Sequence, residues 1–233
     1  MGQVAESLAA VQERIVEACQ RVGRDPREVR LLPVSKTHPG EVIREAYDAG
    51  IRVFGENKVQ ELVEKAETLQ DRVDLQWAVI GHLQTNKAKA VAELASEFHA
   101  LDSIKIADAL DRRLQDAGRA LDVFIQVNSS DENQKFGLPP AEVGAFAAGL
   151  KPFGSLRVRG LMTLAVYSDS DSEVRACFER MIILRTELQS LDRLPGSYDE
   201  LSMGMSGDFE LAIESGATTV RVGQAIFGAR DSA

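Results

Sequence analysis

The sequence predicts an α/β fold of the (β/α)8 TIM-barrel type, in a single domain with an extra N-terminal helix. Eight short strand-like runs alternate with helical stretches along the chain. The ends of successive runs lie 20 to 40 residues apart, which leaves room for one helix and two short loops each time. A length of 233 residues suits one barrel, so we assign residues 1–233 to one domain. An open doubly wound sheet ranks second, because the early Gly-x-Gly-x-x-Gly turn of dinucleotide-binding sheets is missing.

An amphipathic helix is predicted before the first strand. Apolar residues recur there at steps of three or four, which is the helical period: Val4, Leu8, Val11, Ile15, Cys19 and Val22. Gly23 is typical of the position just past a helix end, and Asp25-Pro26 is a typical cap and first-turn pair for the next element.

The eight predicted strands end mostly at polar or charged residues. In chain order the ends lie near Lys36, Asn57, His82, Ser103, Asn128, Thr163, Met203 and Arg221–Gly223. In a (β/α)8 barrel the loops that follow the carboxyl ends of the strands build the active site. We therefore expect these residues, together with Ser206, to gather at one end of the barrel. A long polar loop, Ser129–Lys135, follows the fifth strand.

Composition limits the classes of function. A net charge of −9 and a pI near 5.0 argue against nucleic acid as the main partner. The N-terminus carries charges throughout, so we expect no signal peptide, no membrane span and a cytoplasmic protein. Cys19 and Cys177 have no Cys-x-x-Cys spacing and are expected to be reduced packing residues, and no histidine has metal-ligand spacing.

Lys36 ends the first predicted strand, the mostly apolar run VRLLPVSK. Burial disfavours a charged ammonium, and a neutral amine can attack an aldehyde to form an imine. The alternative is a solvated lysine at a strand end, and the local sequence favours neither.

The segment Glu200–Arg230 predicts a phosphate site. Its turn MGMSGD places the hydroxyl of Ser206 before a helix, where free backbone N–H groups attract an anion. Gly223 allows the backbone to approach a ligand closely, and Gln224 adds another N–H group. The alternative is that these glycines only form turns.

Arg221 lies two residues before Gly223, so both positions share one face of the last strand. An arginine on that face can donate to a ring nitrogen and keep it unprotonated, whereas a structural ion pair is the alternative. Asn57 and His82 end two other predicted strands and could bond ring substituents or line the cavity, although a lone histidine is more often structural. An imine-forming lysine and a phosphate site together indicate pyridoxal 5′-phosphate (PLP), whose aldehyde and phosphate need these two features.

Several longer motifs resemble one known family. They are PVSKTHP, FGENKVQE, IGHLQTNK, GLMTL, LSMGMSGD and VRVGQAIFGAR. From about residue 5 to 230 the chain resembles the PLP homeostasis proteins, also called the alanine racemase N-terminal-domain-like family. The resemblance implies a fold type III PLP barrel in which Lys36 carries the internal aldimine and Arg221 faces the pyridine nitrogen. It also implies that Ser206, Gly223 and Gln224 hold the phosphate, and that Asn57, Met162 and Met203 line the pocket.

One departure from alanine racemases bears on activity. Those enzymes use two bases, the imine lysine and a tyrosine from a second, β-rich domain of a partner subunit. This chain ends at Ala233, so we expect no such domain. Tyr47 is predicted in a helix and Tyr167 and Tyr198 in loops, none of them at a strand end as a facing base would be.

Lys135 stands where racemases keep an arginine that binds the substrate carboxylate. A lysine is a point donor and not a bidentate fork. We therefore expect a PLP carrier and regulator of vitamin B6 and amino-acid homeostasis, a monomer with little or no turnover, whose further partners are PLP-dependent apoenzymes. The alternatives are a racemase-like PLP enzyme and a class I aldolase that forms an imine with its substrate and needs no cofactor.

Overall fold

A computed structural model describes residues 2–130, 132 and 134–228 of the chain. Within these residues, eight parallel strands form one sheet in the order β1-β8-β7-β6-β5-β4-β3-β2. The strands are β1 Arg30–Pro33, β2 Val53–Glu56, β3 Gln76–Val79, β4 Glu97–Leu101, β5 Leu121–Val127, β6 Leu156–Thr163, β7 Glu200–Ser202 and β8 Thr219–Val222. A bridge between Val34 and Gly55 joins the β1 side to β2 and brings the sheet round into a barrel.

Helices separate the strands and cover the outside of the barrel. They are α1 Gln3–Arg21, α2 Gly40–Asp48, α3 Val59–Thr68, α4 Ala88–Leu94, α5 Ile104–Ala117, α6 Val143–Gly149, α7 Asp171–Ser190, α8 Phe209–Glu214 and α9 Gln224–Phe227, with short 3-10 turns at Pro26–Glu28, Thr85–Lys87 and Pro140–Glu142. The predicted (β/α)8 barrel with its extra N-terminal helix is confirmed.

All eight strands occur where the sequence predicts them, but most end one to three residues earlier. Lys36 lies three residues beyond the end of β1, and His82 three beyond the end of β3. The hydrogen-bonded part of each of these strands ends before the predicted polar residue. That residue then lies in the loop at the carboxyl end of the strand. The polar loop Ser129–Lys135 lies partly outside the described residues, and the assignment of the whole chain to one domain stays a prediction.

Helix α1 packs against α2, α8 and α9 through its apolar stripe. The stripe is buried except at Val22, which lies just past the helix end. Gly23 has φ +69°, a left-handed conformation that suits glycine. Arg24 then donates to the carbonyls of Ile213 and Ala217 at 2.6 and 2.9 Å, which satisfies the end of α8. The N-terminal helix therefore supports the α8 side of the barrel.

None of the helices in the described part of the chain combines the length and apolarity that crossing a bilayer requires. Within the same residues, no group of three or more His, Cys, Asp or Glu side chains is arranged to hold a metal ion. Cys19 and Cys177 are buried free thiols, as the sequence predicts.

Candidate functional site

A cavity of about 780 Å³ opens at the carboxyl end of the barrel. Six residues that the sequence assigns to a site line it, and they come from loops or strands at four different places in the chain: Lys36, Asn57, Ser206, Arg221, Gly223 and Gln224. The fold thus brings together an amine, a guanidinium and the glycine-containing turns that lie up to 188 residues apart in the sequence.

Lys36 occupies a tight turn that is fixed on both sides. The N–H of Val34 donates to the carbonyl of Val222 at 2.9 Å, and the N–H of Ser35 donates to the carbonyl of Gly55 at 3.0 Å. Thr37 has φ +68°, which is strained for a residue with a branched side chain. Its N–H donates to the carboxylate of Glu61 at 2.7 Å, so a contact from α3 holds this conformation.

Three charged side chains from β2 and α3 bond to the turn that contains Lys36. We call Glu56, Glu61 and Lys65 the Lys36 clamp. Lys65 Nζ donates to the Ser35 carbonyl at 2.8 Å and to Glu56 Oε1 at 2.7 Å, and the Ser35 hydroxyl donates to the same oxygen at 2.6 Å. Burial raises the pKa of Glu56, and the charge of Lys65 opposes this effect. The clamp therefore bonds the residues on both sides of Lys36.

The turn between β7 and α8 brings the backbone close to the cavity. Gly204 has φ +94°, and a Cβ there would lie 2.6 Å from the Cβ of Ala212, so a side chain does not fit. Its carbonyl accepts from the N–H of Arg221 at 2.9 Å. The hydroxyl of Ser206 accepts from the N–H of Ala225 at 3.4 Å, which ties this turn to α9. A hydroxyl and the first N–H groups of α9 thus meet at one wall of the cavity.

Gly223 has no side chain, which allows the end of β8 to pack closely against the end of β1. A Cβ at this position would lie 3.0 Å from the carbonyl oxygen of Val34, two residues before Lys36. The next residue, Gln224, begins α9. The N–H of Ala225 donates to Ser206 Oγ, and those of Ile226 and Phe227 donate to the carbonyl of Gly223, which leaves the N–H of Gln224 for a ligand. This donor and the Ser206 hydroxyl suit an anionic group such as a phosphate ester.

Arg221 is buried and lines the cavity. Nη1 donates to Ser202 Oγ at 2.8 Å and Nη2 donates to the carbonyl of Thr163 at 2.7 Å. Burial lowers the pKa of Arg221 to about 10, partly offset by the charge of Asp208. The group therefore remains a cation at neutral pH, and both of these bonds go to neutral oxygens.

Four other predicted residues lie outside the lining of the cavity. Met162 and Met203 are buried in the hydrophobic core, at the end of β6 and just after β7. His82 stacks on Phe136 with ring centroids 4.3 Å apart. Lys135 donates to the carbonyl of Ala165 at 2.9 Å. The last two side chains attach the loop after β5 to the barrel, and contacts of these four with a bound ligand stay a prediction.

Tyr167 lies in a loop, as the sequence predicts, and that loop follows β6. The loop after β6 folds over the barrel end, so Tyr167 and Ser168 line the cavity mouth. The side chain of Tyr167 is 99% exposed. The sequence carries no signal for this position, because it does not say where a loop folds. Asp208 also lines the cavity, and burial raises its pKa.

Comparison with known proteins identifies the family. The model of the family "Alanine racemase, N-terminal domain" matches residues 7–231. The chain belongs to this family. The predicted resemblance is therefore confirmed, and the family match spans every residue of the cavity lining.

Relatives within the family cover the whole chain. The pyridoxal phosphate homeostasis proteins of Aquifex aeolicus and Escherichia coli K12 are each 43% identical, over 97% and 99% of this chain and 97% and 98% of their own lengths. The solved structure of PipY from Synechococcus elongatus PCC7942 with PLP bound is 38% identical, with a TM-score of 0.85 over 97% of this chain and all of PipY. An alanine racemase of Clostridium difficile 630, at 12% identity and a TM-score of 0.72, shares the barrel fold.

Proposed function

We propose that this protein binds PLP in the cavity at the carboxyl end of the barrel and serves in PLP homeostasis, with Lys36 as the covalent attachment point. The observation that carries the proposal is the convergence of Lys36, Arg221 and the Ser206 turn on one cavity. Support also comes from the PLP-bound PipY structure and from relatives named for PLP homeostasis.

The residues of the cavity fit the cofactor. Its volume of about 780 Å³ lies within the range of about 300–1,000 Å³ usual for small-molecule sites. When bound, PLP supplies a carbonyl that condenses with an amine and a ring that withdraws electrons. Lys36 provides that amine from a turn held by the clamp. The wall formed by Ser206, Gly223 and Gln224 provides a hydroxyl and a backbone N–H donor for a phosphate.

The remaining lining residues orient the ring. Arg221 would donate to the ring nitrogen and, because a guanidinium keeps its proton, would leave that nitrogen unprotonated. Asn57 lines the cavity just after β2 and can donate or accept at a ring substituent. This arrangement favours holding the cofactor over stabilising a carbanion, which agrees with the proposed carrier role.

An absorbance scan of the purified protein tests the cofactor proposal. We expect a visible band from lysine-bound PLP, and borohydride reduction should place one pyridoxyl mass on the peptide that contains Lys36. Lys36→Ala should lose both signals. Lys58→Ala is the matched control, because Lys58 is exposed and does not line the cavity, and it should keep both signals. A pyridoxyl group on another lysine of the unmodified protein would overturn the assignment.

The carrier role, the partners and the location are further parts of the proposal. We propose a cytoplasmic monomer that delivers PLP to PLP-dependent apoenzymes; the two buried free thiols are consistent with a reducing compartment. Mixing the loaded protein with an apoenzyme, with free PLP trapped, should restore the apoenzyme's activity. Light scattering after size exclusion should give the mass of one chain. α-Proton exchange of amino acids in deuterated water at enzyme-like rates would contradict the carrier role.

A further inference from the structure

A buried chain of polar side chains crosses the inside of the barrel and ends at Arg221. Ser202 Oγ lies 2.8 Å from Arg221 Nη1 and 2.8 Å from His99 Nδ1, and His99 Nε2 lies 2.8 Å from Glu97 Oε2. His99 lies in β4 and Ser202 in β7, which are not neighbours in the sheet, so this bond spans the barrel interior. We call Glu97, His99 and Ser202 the Arg221 relay.

Such a chain is unusual inside a barrel, where branched apolar side chains ordinarily fill the layers. His99 and Ser202 have no exposed surface, and Glu97 is almost fully buried. Buried polar groups destabilise the fold unless each is bonded. Every member of the relay is bonded at both sides, and Arg30 ends it with a bidentate pair to Glu97 at 2.5 and 2.7 Å.

The chemistry of the two ends fixes the direction of every bond. A guanidinium can only donate, so Ser202 Oγ accepts from Arg221. The other partner of this hydroxyl is His99 Nδ1, and a protonated Nδ1 would leave the buried hydroxyl proton without an acceptor, so Ser202 donates to Nδ1. An ionised carboxylate can only accept, so His99 carries its proton on Nε2 and donates to Glu97. His99 is therefore a neutral imidazole with its proton on Nε2.

The surrounding charges agree with a neutral His99. Burial lowers the pKa of His99, Arg30 and Arg221 act in the same direction, and Glu97 opposes them. Burial alone would raise the pKa of Glu97, but hydrogen bonds from Arg30 and His99 hold it well below its usual range. A chain of hydrogen bonds through His99 and Ser202 thus connects the carboxylate of Glu97 to the guanidinium of Arg221.

We propose that His99 and Ser202 are positioning residues that hold Arg221 in one orientation and polarise its guanidinium through the relay, so that it sets the electron density of the cofactor ring. This inference rests on the proposed function. Bonds to Ser202 and Thr163 use two of the five donors of Arg221, which lines the cavity, and three donors remain for a ligand. Loss of Ser202 leaves the guanidinium with one fixed bond and separates it from Glu97.

The first test needs no cofactor. In protein labelled with ¹⁵N-histidine, the ring signals of His99 should show the neutral form protonated at Nε2 from pH 6 to 8. His99→Gln identifies these signals. Protonation at Nδ1, or titration near the ordinary value of about 6.5, would overturn the direction of the relay.

The second test uses the loaded protein and compares Ser202→Ala, His99→Phe and Asp111→Asn. Asp111 is also buried and bonded, to the N–H of Ser155 at 2.8 Å, but it lies in α5 outside the cavity lining. We expect Ser202→Ala and His99→Phe to shift the midpoint of the pH titration of the cofactor absorbance by about half a pH unit or more. We also expect roughly fivefold to tenfold faster PLP loss. Asp111→Asn should change stability alone, and His99→Gln should recover part of the effect because an amide can donate to Glu97 and accept from Ser202.

The outcomes separate this inference from the proposed function. If the unmodified protein shows no lysine-bound cofactor, the proposed function fails, and the histidine spectra still test the relay. If the cofactor binds but both relay variants titrate as Asp111→Asn does, the relay is overturned as a positioning device and the proposed function stands.

Discussion

Removal of the Lys65 ammonium should destabilise the protein in a way that depends on pH. Lys65 is 8% exposed and Glu56 is fully buried, with Nζ and Oε1 2.7 Å apart. Glu56 Oε2 is buried and has no hydrogen-bond partner among the described residues. Lys65→Met therefore leaves a buried carboxylate bonded to the Ser35 hydroxyl alone. Breaking one side of a buried ion pair costs about 3–5 kcal/mol while the remaining group stays charged.

Protonation of Glu56 reduces that cost at low pH. Burial already raises the pKa of Glu56, and Lys65 is the charge that opposes the rise, so Lys65→Met raises it further. The folded variant then binds a proton that the unfolded chain has released. Its free energy of unfolding should fall as pH rises through the folded pKa, by at most about 1.4 kcal/mol per pH unit for one proton. The loss relative to the unmodified protein is thus larger at pH 8 than at pH 5.5.

Urea unfolding followed by Trp77 fluorescence measures this difference. Trp77 is the single tryptophan and is buried in β3, so its emission should report on the barrel. The control is the double variant Glu56→Gln/Lys65→Met, which removes both charges and should recover most of the stability at pH 8. An equal loss at both pH values, or a double variant no more stable than Lys65→Met, would refute the reasoning. PLP retention in Lys65→Met should fall as well, because Ser35 loses a bond beside Lys36.

Three further predictions concern the cavity, the relay and the N-terminal helix. Ser206→Ala should weaken PLP retention by roughly 1–3 kcal/mol, measured as the rate of cofactor release, and an unchanged rate would remove Ser206 from the phosphate site. Burial lowers the pKa of His99, so below about pH 6.5 the unfolded chain binds a proton at this residue that the folded protein does not. The free energy of unfolding therefore falls as the pH falls below about 6.5. His99→Gln should flatten this fall between about pH 6.5 and 5.5. Arg24→Ala should cost about 1–3 kcal/mol through its two carbonyl bonds to the α8 region, whereas exposed Arg27→Ala should leave the urea midpoint unchanged.

The barrel could be predicted from the sequence because each of its units is local. A short strand of three to eight residues, a helix and two short loops recur along the chain, and the order of the eight parallel strands then follows from the closed barrel. The turn that holds Lys36 could not be predicted in the same way. Thr37 takes a left-handed conformation because Glu61 from α3 bonds its N–H, a contact between residues 24 positions apart.

The site was predictable where residue chemistry and strand position coincide. Arg221 and Gly223 share a strand face, and both line the cavity. Tyr167 was placed in a loop, but its position at the cavity could not be predicted, because that position depends on how the loop after β6 folds. Ser202 and His99 carried no signal, since each looks like an ordinary strand residue until β4 and β7 face each other across the barrel.

The Lys36 clamp and the Arg221 relay act on two side chains of the cavity by different routes, and this difference has a physical consequence. The clamp bonds Ser35 and Thr37, so it fixes the backbone on both sides of Lys36. The relay bonds the guanidinium of Arg221 itself, through a neutral hydroxyl and a neutral imidazole. A carboxylate bonded directly to that guanidinium would occupy its donors and neutralise its charge, whereas the relay keeps Glu97 at the far side of His99. A barrel that is to hold a phosphorylated aldehyde needs a cation that is both fixed in place and free to donate, and burying a longer polar chain is how this sequence can meet both requirements.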